Sequence, residues 1–235
     1  MRKRTLAERS EKGVALTIKT SGIWAIELAR EREAYWQLVE EWDRAHSNDD
    51  DLLSNETEAN RELLRQAGAA AEIDDLSSAF PLYLDAAKAG SALAMETVAC
   101  RYWTGSGTAP DLDQAEIYYR RAADAGSQMA HIHCARLLFA QLRYEESERV
   151  LQHSAISNFA PAAFWLASHR YWRCKSRSVA SEIRPLLEYA ARAGHPGAKN
   201  FLKRLMATGK LGIFAIPKGL LLPVSYPVVS TKSDT

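Results

Sequence analysis

The sequence predicts an all-α fold, a right-handed α–α superhelix in which helix pairs stack into a solenoid, and three observations predict it. The first is an internal repeat. DAAKAGSALA (85–94) aligns with RAADAGSQMA (121–130), YAARAGHPGA (189–198) repeats the pattern, and HSAISNFAPA (153–162) fits with asparagine in the glycine position, so the register reads Gly90, Gly126, Asn158, Gly194. The second is helical periodicity on both sides of each of these residues. Counting back 11, 8, 7 and 4 gives Ala79, Leu82, Tyr83 and Ala86 before Gly90, and Ile183, Leu186, Leu187 and Ala190 before Gly194. Counting forward 4, 8 and 9 gives Ala94, Val98 and Ala99, then Ala130, Cys134 and Ala135, then Ala162, Leu166 and Ala167. Spacings of three and four put each set on one helix face. The third is residue type: glycine or asparagine accepts the left-handed cap conformation that reverses the chain, and small alanines let two antiparallel helices approach closely.

The elements follow in order. Residues 1–21 form a basic arm expected to be flexible, with six bases against two acids in the first twenty positions. Residues 22–46, GIWAIELAREREAYWQLVEEWDRAH, predict an amphipathic helix, with Leu28, Tyr35 and Trp42 recurring at sevens. It reads either as an N-terminal cap packed on the first repeat or as a partner-binding coiled coil, and three heptads are few for the latter. Residues 47–55, in the acidic and polar run SNDDDLLSNETE (47–58), are expected to be an exposed linker. The solenoid is expected over 56–210, beginning with a degenerate helix at 56–70 that carries Leu63, Leu64 and Ala67. Its last helix should end at Thr208–Gly209. The tail, 211–235, opens with LGIFAIPKGLLLPVSYPVV, which Pro217, Lys218, Pro223 and Pro227 make unfit to span a membrane as a helix. An extended cap on the last repeat, a docking segment and a membrane-surface contact all suit it.

The unit 91–126 resembles a SEL-one-like repeat (SLR), a relative of the tetratricopeptide repeat. The residues that carry the resemblance are the alanine-rich first helix, Tyr102 before the loop glycines Gly105 and Gly107, Asp113 at the start of the second helix, and the closing A-A-x-x-G at Gly126. The resemblance covers about residues 70–210, and the 36-residue offset departs from the roughly 34 residues of tetratricopeptide repeats. It is densest over 79–126. The third unit is four residues shorter, apparently in its inter-helix loop. The resemblance implies an adaptor that holds protein complexes together, in signalling, envelope or quality-control systems, through the concave face of the solenoid. It also implies, as a further alternative, a regulatory subunit of an envelope or polysaccharide system.

Thirty basic and twenty-nine acidic residues give a formal charge of +1, so no global field draws nucleic acid, and none is expected as partner. Cys100, Cys134 and Cys174 are widely spaced and odd in number, which argues against a disulfide framework and a zinc site and makes the cytoplasm the default location. His131 and His133, two apart, point to different sides of a helix, and no HExxH accompanies them. No GxSxG, P-loop or Rossmann fingerprint occurs, and GSG at 105–107 lacks the strand and lysine of a phosphate loop. No catalytic group, cofactor or metal is therefore expected. The secreted, cysteine-paired SLR proteins linked to β-lactam binding have a pattern that these three cysteines do not match.

Charge nevertheless separates along the chain. Residues 163–210 hold ten bases against Glu182 and Glu188, a surface suited to an acidic protein, or with the tail to an anionic membrane surface. The residues expected to make exposed partner contacts are Arg101, Trp103, Arg136, Phe139, His169, Arg170 and Trp172. Those expected to make the repeat turns are Gly90, Gly105, Gly107, Gly126, Asn158, Gly194 and Gly209.

Overall fold

The computed structural model describes residues 33–156 and 158–211. The chain divides into two compact units, Met1–Trp42 and Asp43–Thr235. In the first, residues 33–42 are helical, and this helix, α1, continues to residue 45. The second carries α2 (Asp49–Ser54), α3 (Glu58–Glu72), α4 (Leu76–Lys88), α5 (Ala92–Thr104), α6 (Leu112–Asp124), α7 (Gln128–Ala140), α8 (Tyr144–Ile156), α9 (Ala160–Arg173), α10 (Arg177–Arg192) and α11 (Pro196–Ala207). No strand occurs among the described residues. From α3 to α11 each helix packs on the next, which is the nearest-neighbour pattern of a solenoid. The fold is thus all-α, with pairs α3/α4, α5/α6, α7/α8 and α9/α10 followed by α11.

The alanine register explains how the pairs close. Ala79, Ala86, Ala94, Ala99, Ala115, Ala122, Ala130, Ala135, Ala162, Ala167, Ala190 and Ala198 are all fully buried, so the backbones meet with only a methyl group between them. Tyr119, Leu138, Leu151, Ile183 and Leu187 fill the space between these approaches. Ser147 stands in an apolar register position and is also fully buried; its hydroxyl donates to the Ala135 carbonyl at 2.8 Å, which removes the cost of burying it.

The connections share one geometry. Gly90, Gly126, Asn158 and Gly194 have φ of 100°, 98°, 62° and 105°. At Gly90 and Gly126 the chain donates from the turn residue and its successor back to the closing helix, Gly90 to Ala87 and Ser91 to Ala86, and Gly126 to Ala123 and Ser127 to Ala122. Asp74 (φ 61°) and Leu142 (φ 63°) make the same turn within pairs α3/α4 and α7/α8, without glycine to announce it. The loop 105–111 of the pair α5/α6 has seven residues against three in 141–143, so the four missing residues of the third unit fall there. Gly105, Gly107 and Gly209 also have positive φ. At Gly107 space is the second constraint, because a Cβ would lie 2.2 Å from the Leu76 carbonyl oxygen.

One expectation is corrected. Segment 47–55 is not a plain linker: α2 occupies most of it, because Asp49, Asp50 and Asp51 in the first turn complement the positive end of the helix dipole. Residues 43–45, the last of α1, meet α5, α9 and α11, as detailed below. Residues 1–32 and 212–235 lie outside the described residues, and with them the basic arm, the first half of the 22–46 helix and nearly all of the apolar tail. Among the described residues no helix is long and apolar enough to cross a membrane.

Candidate functional site

The helices that open each pair begin with a polar cap that also reaches across the fold. Ser91, Ser127 and His195 each follow a turn glycine, and their side chains accept from the backbone N–H of Ala94, Ala130 and Ala198. Each then faces a buried carboxylate. Ser91 Oγ donates to Glu56, Ser127 Oγ donates to Glu96 at 2.9 Å, and His195 Nε2 lies 2.8 Å from Asp43 Oδ1. Because His195 Nδ1 accepts from Ala198, Nε2 carries a ring proton, but that N–H is not aligned for a hydrogen bond to Asp43 Oδ1. Phe159 holds the fourth of these positions and makes no side-chain cap; Pro161 in the first turn removes one donor that would need it. This ladder was not read from the sequence. Its signal was present as Ser or His one residue after each turn glycine, but the carboxylates come from distant positions.

Asp43 is 1% exposed; Trp165 Nε1 donates to its Oδ2 at 2.8 Å, and Oδ1 faces His195 without a hydrogen bond. Phe164 packs on His195 with ring centroids 4.2 Å apart, and both press on Gly197, where a Cβ would lie 2.7 Å from the Phe164 ring. Arg44, the next residue, reaches Glu96 at 3.4 Å and Asp49 at 2.9 Å. Asn48 then donates to the Gly126 carbonyl at 2.8 Å and accepts from the Gln128 N–H at 3.1 Å. Residues 43–48 therefore touch α5, the turn before α7, α9 and α11. Burial raises the Glu96 carboxyl against the pull of Arg44, and burial pushes His133, 3.6 Å away, down to about 3.

The residues expected to contact a partner divide into groups. Phe139, His169 and Trp172 come together: Phe139 stacks on His169 with centroids 4.3 Å apart and meets Trp172 at 6.1 Å, while Trp165 lies 6.2 Å from Trp172. Arg136 joins them with its guanidinium 4.9 Å over the Trp165 ring, and Arg173 lies 5.7 Å over Tyr144, which packs on Phe139. Trp103 sits apart on α5, edge-on to Tyr119. Arg170 is turned away to Glu148 of α8 and Glu182 of α10, so its charge is neutralised.

Two of the seven are not exposed contacts. Arg101 is buried because its guanidinium lies 4.9 Å over Tyr83 and donates to the Ser106 carbonyl, which ties down the glycine loop. His169 is 4% exposed. Ser147 gives its one proton to Ala135, so His169 Nδ1–H donates to Ser147 Oγ at 2.8 Å, and burial followed by Arg136 holds the imidazole down to about 3. It is the floor of the aromatic cluster rather than its surface.

A surface cavity of about 460 Å³ lies between α6, α7 and α8. His131 and His153 stack in it at 6.1 Å, with Arg120 and Arg149 balanced by Asp124 and Glu146, and Cys134, whose thiol burial pushes up to about 11. Among the described residues no group of three or more His, Cys, Asp or Glu side chains is placed to hold a metal ion.

The fold and these faces define the class: an α-solenoid built from helix pairs, with an aromatic and basic ridge on the helices that open successive pairs. Within that class the fold is that of SLR proteins. The chain is similar to the Sel1 repeat protein from Oxalobacter formigenes, with 20% identity and a TM-score of 0.55, and 64% of each chain is covered. An SLR-fold protective antigen present in uropathogenic Escherichia coli strains is also similar, at 16% identity and a TM-score of 0.37, covering 57% of this chain and 38% of that one. The chain thus spans a little under two thirds of the first structure. No family model matches the chain, and no curated protein matches its sequence.

Proposed function

We propose that this protein is a non-enzymatic scaffold that binds a partner protein through the face carried by α7 and α9. The observation that carries the reading is the cluster of Phe139, His169, Trp165 and Trp172 with Arg136, in which two successive repeats build one ridge and Trp172 keeps 37% of its surface exposed. Trp and Arg set among aromatic neighbours are the side chains that anchor interfaces, because they bury large areas at low entropic cost. Stacked repeats supply such a surface without any reacting group. An acidic partner suits it: Lys199, Lys203, Arg204 and Lys210 on and after α11 have no carboxylate within ion-pair distance among the described residues.

Affinity capture with tagged wild-type protein and its Trp172→Ala variant tests the reading. Removing an anchoring tryptophan costs about 2 kcal/mol or more of binding, so recovery of the bound protein should fall at least about tenfold. Because Trp172 also packs on Phe139, His169 and Trp165, circular dichroism qualifies the variant as folded before recovery is compared. Equal recovery from both proteins overturns the assignment of this face.

A further inference from the structure

Residues 43–48 are held across four helices of the solenoid by side-chain polar contacts of three kinds. A carboxylate, Asp43, accepts from Trp165 Nε1 at 2.8 Å and lies at ion-pair distance, 2.8 Å, from His195 Nε2. A guanidinium, Arg44, faces the buried Glu96 carboxylate, and a carboxamide, Asn48, pairs with the backbone of the turn at Gly126 and Gln128. The helix that follows, α2, fully buries none of its residues. Arg44 is half exposed and sits 3.4 Å from the nearly buried Glu96. An indole N–H donor and an imidazole nitrogen beside one carboxylate, next to a carboxylate that faces a cation, form a seat that is complementary in charge and order to an acidic residue followed by a basic one.

We infer that this seat is a peptide-recognition track, that residues 43–48 fill it as an internal surrogate, and that the partner protein brings a segment with an acidic residue directly followed by arginine or lysine. The inference rests on the scaffold reading above and extends it by naming the chemistry of the recognised segment. The incoming carboxylate replaces Asp43 on Trp165 and His195, and its neighbouring cation replaces Arg44 on Glu96. The seat lies next to the aromatic ridge, because Trp165 belongs to both. Tethering keeps the surrogate at a high local concentration, so a free peptide meets an occupied seat in the wild-type chain.

The probe is a fluorescent peptide of residues 40–50, EEWDRAHSNDD, titrated by anisotropy into the full-length chain. In an Asp43→Ala/Arg44→Ala/Asn48→Ala variant the seat is vacated, and the peptide should bind at least about tenfold more tightly than to wild type. Adding Trp165→Phe, which keeps the ring and removes the N–H donor, should reverse most of that gain. A peptide with Gln and Asn in place of Arg44 and Asp43 should not bind. Circular dichroism qualifies each variant as folded; should the triple variant unfold, Asp43→Asn, which keeps the volume, takes its place with a gain of about threefold. Equal binding to wild type and the vacated chain, or no binding to a folded vacated chain, overturns the inference. Neither result depends on capture through Trp172, so this inference and the scaffold reading fail separately.

Discussion

Leu142 stands in the left-handed region at φ 63° and keeps 68% of its surface exposed. A branched side chain there crowds its own backbone, at a cost of about 1 kcal/mol, and its exposure leaves little packing to offset that cost. The connection cannot relax, because Leu142 and Arg143 donate to the carbonyls of Phe139 and Leu138 and so close α7. Leu142→Gly should therefore stabilise the chain by roughly 0.5–1 kcal/mol, read as a raised urea midpoint with unchanged slope. A lowered midpoint contradicts the strain. The glycine turns of the register were legible in the sequence because glycine advertises its conformation; Leu142 was not, because tertiary closure of the pair imposes a conformation that leucine does not prefer.

Each opening helix depends on its cap, and the caps at Ser91, Ser127 and His195 serve two partners at once. Ser127 accepts from Ala130 N–H at 3.0 Å and donates to the buried Glu96 at 2.9 Å. Ser127→Ala should cost about 2 kcal/mol, roughly 1 for the lost cap and roughly 1 for the carboxylate left short of a donor. In the Glu96→Gln background the same substitution should cost less, and a double-mutant cycle by chemical denaturation measures the difference. Strict additivity overturns the coupling. The helices themselves were legible from period and alanine spacing, including α4 and α10, which continue through Pro81 and Pro185. The capping ladder was not, because its carboxylates lie 31 to 152 positions away in sequence, and only stacking brings them to the caps. In α2 an acidic run that reads as a solvated linker forms a helix because its charges fall at the favourable end.

For the whole molecule, burial of ionisable groups sets how stability answers to pH. Burial holds His133 and His169 down to about 3 from an ordinary 6.5. Between those values the unfolded chain binds protons that the folded chain does not, so stability falls as pH falls, by up to roughly 1.4 kcal/mol per pH unit for each histidine. Glu96 acts in the opposite sense: its carboxyl is raised above 4.5 by burial, so within that interval the folded chain holds the extra proton. Two histidines outweigh one glutamate, and the urea midpoint should drop between about pH 7 and pH 5. An unchanged midpoint contradicts the burial of both imidazoles. By itself the sequence determined the class of fold, the turns at Gly90, Gly126, Asn158 and Gly194 and the faces the helices bury, because these follow from the local spacing of glycine, alanine and large apolar residues. Only the tertiary structure decided that Arg101 and His169 are buried, that Arg170 is neutralised, and that Asp43 closes on Trp165 and His195. Those outcomes depend on which distant side chains the stacked repeats bring within hydrogen-bond reach, and a register of one-dimensional spacings carries no such distances.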